Sequence, residues 1–101
     1  MKKLFRFEFE DLSAKGGNRK HDGIAYEHSR NEDEQFRIEN VDGTPFLVAN
    51  SSGLLMLAQI FAKMGLSEYK DGFHVHLRED FNGDSPDVLT VVVNNQNVHT
   101  P

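Results

Sequence analysis

The chain has no cysteine. Disulfide staples, thiolate metal sites and cysteine nucleophiles are therefore excluded, and the composition fits a reducing compartment. Tryptophan is also missing, prolines number only three, and no apolar run approaches the length of about 20 residues that spans a bilayer. The opening MKKLFRFEFE has the two lysines of a secretory signal without its apolar stretch, because Arg6, Glu8 and Glu10 interrupt it. A cytoplasmic protein is expected. Positive charge is scarce as well: 11 Lys and Arg against 16 Asp and Glu leave a net charge of −5. That sign disfavours a phosphate backbone and favours solubility or a basic partner; with no spanning run either, neither nucleic acid nor membrane is expected as a partner.

What is present suffices for one α+β domain over residues 1–101, with a core of its own and a frayed tail from about residue 95. Eight phenylalanines suggest aromatic strands packed on an aliphatic helix. Residues 3–10 alternate, with Phe5, Phe7 and Phe9 on one side, which is the period of a half-buried strand. A Gly-rich loop over residues 11–23 carries Lys15, Arg19 and Lys20, and residues 24–28 read as a short strand. Asp42-Gly43 then marks a two-residue hairpin turn, since both positions of a type I′ turn need positive φ. That turn pairs Val41 with Thr44, Ile38 with Leu47 and Phe36 with Ala49, and puts apolar residues on a common face. Pro45 lacks a ladder donor and suggests an edge or a bulge.

NSSGLLMLAQIFAKMGL reads as the one helix, capped by Ser51 or Ser52 and ended by Gly65, with Leu54, Leu57, Ala58, Phe61, Ala62 and Met64 on its inner stripe and Leu55 and Ile60 widening it. Strands at residues 73–78 and 87–94 follow. The order β-β-β-β-α-β-β predicts an antiparallel sheet of five to six strands with the helix on one face.

The stretch GFHVHLRED carries the densest chemistry. Phe73, Val75 and Leu77 alternate with His74, His76 and Arg78, so the histidines share the face away from the helix. Two imidazoles so spaced can converge on zinc, with His28 or a nearby carboxylate as a third ligand. Two ligands do not complete a coordination sphere, and a strand surface that meets solvent or a partner accounts for the pair more simply. DFNGDSPD starts like a calcium loop at Asp80, Asn82 and Asp84, then has Ser85 where glycine belongs and Val91 where the bidentate glutamate belongs. It reads instead as an acidic hairpin loop. Phe46 and Val48 fall on the hairpin face opposite Ile38 and Leu47; either they make a mixed recognition patch beside the histidines, or a loop such as the Gly-rich segment folds over them. No catalytic constellation is recognisable, and a protein without enzymatic activity is expected.

Asn50-Ser51-Ser52-Gly53-Leu54 with Leu57-Ala58, then Gly72-Phe73-His74-Val75-His76-Leu77, then Ser85 with Val88-Leu89-Thr90-Val91 occur in that order. Over residues 46–93 the segment resembles the immunity protein family 32 of bacterial polymorphic toxin systems. One departure is Arg78, where the family pattern leads to an acidic residue. The resemblance implies a small bacterial α+β protein that neutralises a cognate toxin by binding it. Expected contacts are His74, His76, Arg78, Asp80 and Asp84, with Phe46 as an apolar anchor. The other readings are a metal-binding protein or metal-dependent enzyme using His74, His76 and His28, and a domain that self-associates through its exposed sheet face.

Overall fold

A computed structural model describes residues 1–11, 33–96 and 98–99. The expected strand at 24–28, His28 and the Gly-rich loop from residue 12 onward lie outside the described residues. The elements run β1 (Phe36–Val41), β2 (Thr44–Ala49), α1 (Ser51–Leu66), β3 (His74–Arg78), a 3-10 turn (Glu79–Phe81) and β4 (Asp87–Val92). Among the described residues no helix is long and apolar enough to cross a membrane.

The β1–β2 hairpin forms as its sequence dictates. Asp42 and Gly43 take φ values of 52° and 84°, and Phe36 faces Ala49, Ile38 faces Leu47 and Val41 faces Thr44. A two-residue turn makes Val41 and Thr44 a hydrogen-bonded pair, so alternation points the amides of Phe36, Ile38 and Asn40 away from β2. That outward direction decides how the rest of the chain attaches.

Among the described residues the expected sheet of five to six strands is not formed. The strands make two separate two-stranded antiparallel sheets, β1–β2 and β3–β4. Among the described residues the free edge of β1 is met by a side chain and not by a strand, because the Phe36 amide donates to the Asp80 carboxylate at 2.9 Å. Pro45 removes a donor from β2. Residues 3–10 also form no strand. Their phenylalanines do line up on one side, with Phe5, Phe7 and Phe9 rings in succession 5.6 and 5.7 Å apart, but Phe5 is largely exposed. Alternation makes a segment fit for a strand; only a partner makes it one.

Helix α1 has the expected length, with a different cap at each end and a shifted face that keeps Leu57, Ile60 and Met64 of the expected stripe. Its N-cap is Asn50, whose Oδ1 accepts from the Gly53 and Gln35 amides at 2.8 and 3.1 Å, and whose backbone amide donates to the Gln35 carbonyl at 3.2 Å. The side chain also donates to the Asp33 carbonyl at 2.5 Å. One asparagine thus caps the helix and ties it to the chain entering β1. At the other end Gly65 stays helical and Ser67 is the C-cap. The buried stripe is Gly53, Met56, Leu57, Ile60 and Met64, whereas Leu54, Leu55 and Phe61 of the expected stripe are about half exposed. The helix is turned because Gly53, which has no side chain, sits against the Gln35 carbonyl.

The core gathers Phe36, the buried helix residues, Val75, Leu77 and Phe81. Phe81 and Phe36 pack with ring centroids 4.6 Å apart, so the 3-10 turn, and no shared ladder, joins the two hairpins. Two consecutive left-handed residues, Asp80 at φ 57° and Phe81 at φ 56°, direct the Asp80 carboxylate and the Phe81 ring to β1. Beyond β4 the chain is still held, since the Asn95 amide donates to the Asp71 carboxylate at 2.8 Å.

Candidate functional site

The outer face of the β3–β4 hairpin is built from a register that brings His74 opposite Val92, His76 opposite Thr90 and Arg78 opposite Asp87. On the inner side Val75 and Leu77 are buried in the core, which fixes the alternation and sends the histidines outward. A bulge between Leu77 and Arg78 absorbs one residue of β4 and brings Asp87 level with Arg78.

Each histidine is oriented. His74 Nδ1 lies 3.0 Å from the Gly72 carbonyl oxygen, which only accepts, so Nδ1 carries the proton in that contact. His76 Nδ1 lies 3.0 Å from the Thr90 hydroxyl and 3.6 Å from Asp87 Oδ2. The two rings meet edge to face, 4.9 Å apart at 82°. Arg78 reaches the other way: Nε donates to Asp87 Oδ1 at 3.2 Å, and Nη1 donates to the Gly83 carbonyl. It thereby fastens the acidic loop to the strand. Exposed pairs of this kind contribute little, so Arg78→Ala is expected to cost about 1 kcal/mol or less. Its larger effect is faster amide exchange over residues 82–85, read by hydrogen-exchange mass spectrometry. Unchanged exchange there would show that Arg78 does not hold the loop.

The expected contacts do not lie on one surface. His74, His76 and Arg78 share the β3–β4 face, and exposed Asp84 sits on the adjoining loop, in a turn where its amide donates to Asn82 Oδ1 at 3.0 Å. Phe46 is about half exposed on β2, in the other sheet and opposite Glu39. The mixed patch expected from a single sheet is therefore split. Asp80 is half-buried and its carboxylate is engaged by the Phe36 amide. Thr90, Asp87 and Val92, which complete the histidine face, were hidden in the nearly unbroken apolar run VLTVVV and in the bulge that shifts its pairing.

Among the described residues no three His, Asp or Glu side chains are grouped to hold a metal ion. His28, the third ligand expected from the sequence, is outside them. Glu34 is buried; among the described residues its Oε2 atom has no hydrogen-bond partner and it belongs to no such cluster. A polar cleft of about 220 Å³ lies between Gln35–Arg37, Val48–Asn50 and the 3-10 turn. A more apolar one of about 310 Å³ lies between the end of α1 and the end of β4. No family model matches the chain, and neither a curated protein nor a solved structure matches it.

Proposed function

We propose that this chain is a protein-binding domain without enzymatic activity, whose recognition surface is the outer face of the β3–β4 hairpin. The observation that carries this reading is the exposed, oriented pair His74 and His76, flanked by Thr90 and Val92 and by the Arg78–Asp87 pair. Such a face offers aromatic surface, donors, acceptors and charge of both signs on a rigid ladder, which is the make-up of a protein-recognition patch. The exposed carboxylate of Asp84 and the net charge of −5 favour a basic partner and would speed its encounter. Within this class, the resemblance carried by residues 46–93 points to a cognate bacterial toxin neutralised by occlusion.

The test is a genomic search for a basic toxin domain encoded beside this gene, followed by its titration with the full chain. In the His74→Ala/His76→Ala variant affinity is expected to fall about tenfold or more, in line with loss of central interface side chains. Equal affinity in wild type and variant would remove this face from the interface. A zinc titration followed by NMR separates the second reading. Saturable binding that shifts both imidazoles and is lost in the same variant would favour a metal site, whereas diffuse shifts are expected from two ligands alone.

A further inference from the structure

The four described strands differ in how their unpaired edges are protected. β1 carries Arg37 and Glu39 and has its Phe36 amide covered by Asp80; β2 carries Pro45; β3 carries two histidines and an arginine. Charge, proline and covering side chains are the usual means by which an edge avoids pairing with another chain. β4 has none of these after Asp87: Val88 to Val93 is an unbroken neutral run of strand-forming residues.

The direction of its free groups follows from the end of the ladder. The Val93 amide donates to the Phe73 carbonyl, and the Val93 carbonyl accepts from the Gly72 amide, both at 2.9 Å. Alternation then turns the amide and carbonyl of Thr90 and of Val92 to the open side, where no described strand pairs with them. Two apolar side chains there are also uncovered. Val92 is 56% exposed, and Leu89 is 39% exposed although it sits opposite Leu77 on the core side of the hairpin. Beside the same edge runs the cleft of about 310 Å³ lined by Phe61, Met64 and Gly65.

We propose that two copies of this chain associate through the open edge of β4, antiparallel about a two-fold axis near Val91, to make a continuous sheet in the order β3-β4-β4-β3. Thr90 of one copy exchanges backbone hydrogen bonds with Val92 of the other. Leu89 of each copy falls beside Val93 of its partner and fills the cleft below Phe61. Charge selects a second copy as the occupant. Antiparallel pairing sets each Asp87 against the neutral stretch Val93-Asn94-Asn95 of the other chain and keeps the two carboxylates apart, whereas parallel pairing would bring them together. The neutral edge also offers nothing by which to select a charged foreign peptide, and a self-complementary strand closes on itself as a dimer. This inference does not rest on the partner-binding reading, which concerns the outer face.

The experiment is sedimentation velocity on the full chain from micromolar to near-millimolar concentration, with residue-resolved amide exchange on the same samples. A sedimentation coefficient that rises toward that of a dimer is expected, with Thr90 and Val92 amides exchanging at least about tenfold more slowly in dimer-rich samples and the outward amide of Asn40 unchanged. Val92→Lys brings two ammonium groups into the pairing, and Thr90→Pro removes an outward donor without breaking a backbone bond to β3, although it also removes the hydroxyl that His76 Nδ1 meets. Both variants are expected to sediment as monomers with unaltered far-UV circular dichroism. A wild type that stays monomeric at every concentration overturns the proposal. So does a dimer in which the Thr90 and Val92 amides exchange at the monomer's rate, because its interface lies elsewhere.

Discussion

Replacing Phe81 by alanine is expected to lower the free energy of unfolding by about 4 kcal/mol, the cost of emptying a buried aromatic site that its neighbours cannot fill. Phe81 is fully buried, and its ring packs on Phe36 with centroids 4.6 Å apart. The site resists collapse because it is the joint between the hairpins: among the described residues no strand ladder spans them, and Asp80 beside it holds the Phe36 amide. Alanine would keep the left-handed backbone strain at position 81, where φ is 56°, and lose the packing that sustains it. Urea unfolding followed by circular dichroism measures the effect. Phe61→Ala is the control, since Phe61 is 42% exposed and its loss is expected to cost about 1 kcal/mol or less. Equal costs at the two positions would mean that Phe81 is not the joint.

The position of that joint explains which parts of the fold were legible in the sequence. The β1–β2 register could be read because its determinants are adjacent: an Asp-Gly turn and a period of two on either side. The outward direction of His74 and His76 was legible for the same local reason. The contact between Asp80 and Phe36 spans 44 positions, and in the sequence Asp80 looked like one more carboxylate in an acidic loop. Without it the two hairpins seemed free to merge into one sheet. The N-terminal phenylalanines show the converse, a strand pattern for which no strand partner is described. Pattern reports what a segment is able to bury; pairing depends on which edges remain open after other groups have taken them.

The candidate site follows the same division. Two of its histidines were visible from spacing, but Thr90, Val92 and Asp87 joined them only through the register of β3 with β4 and the bulge after Leu77. Phe46 left the patch because it depended on a single sheet. The resulting face is smaller than the one expected, and its side chains hold one another: His76 on Thr90, and Arg78 on Asp87 and on the loop. A partner that docks here meets a surface already ordered before contact, which lowers the entropy cost of association.

The helix yields the second large effect, through one substitution made at two places. Gly65→Ala is expected to stabilise the protein by about 0.5–1 kcal/mol, because alanine is the better helix former. Gly65 is helical, and a Cβ built there meets nothing within 4 Å. Gly53→Ala carries the same propensity gain and is expected to cost about 3 kcal/mol net, the scale of forced overpacking in a closed site. Its Cβ would stand 2.1 Å from the Gln35 carbonyl oxygen and 3.1 Å from Asn50 Oδ1. Relief requires moving backbone, and the backbone in question is held by the Asn50 cap to both Gln35 and Gly53. Moving it would break the cap and shift the start of β1, whose first residue, Phe36, packs on Phe81. The pair of variants, compared by chemical denaturation, therefore isolates the close approach from helix propensity. Opposite signs are the expected result. Stabilisation at both positions would show that the helix does not lean on Gln35 at Gly53, and the rotation that buries Gly53 and Met56 in place of Leu54 and Phe61 would need another cause.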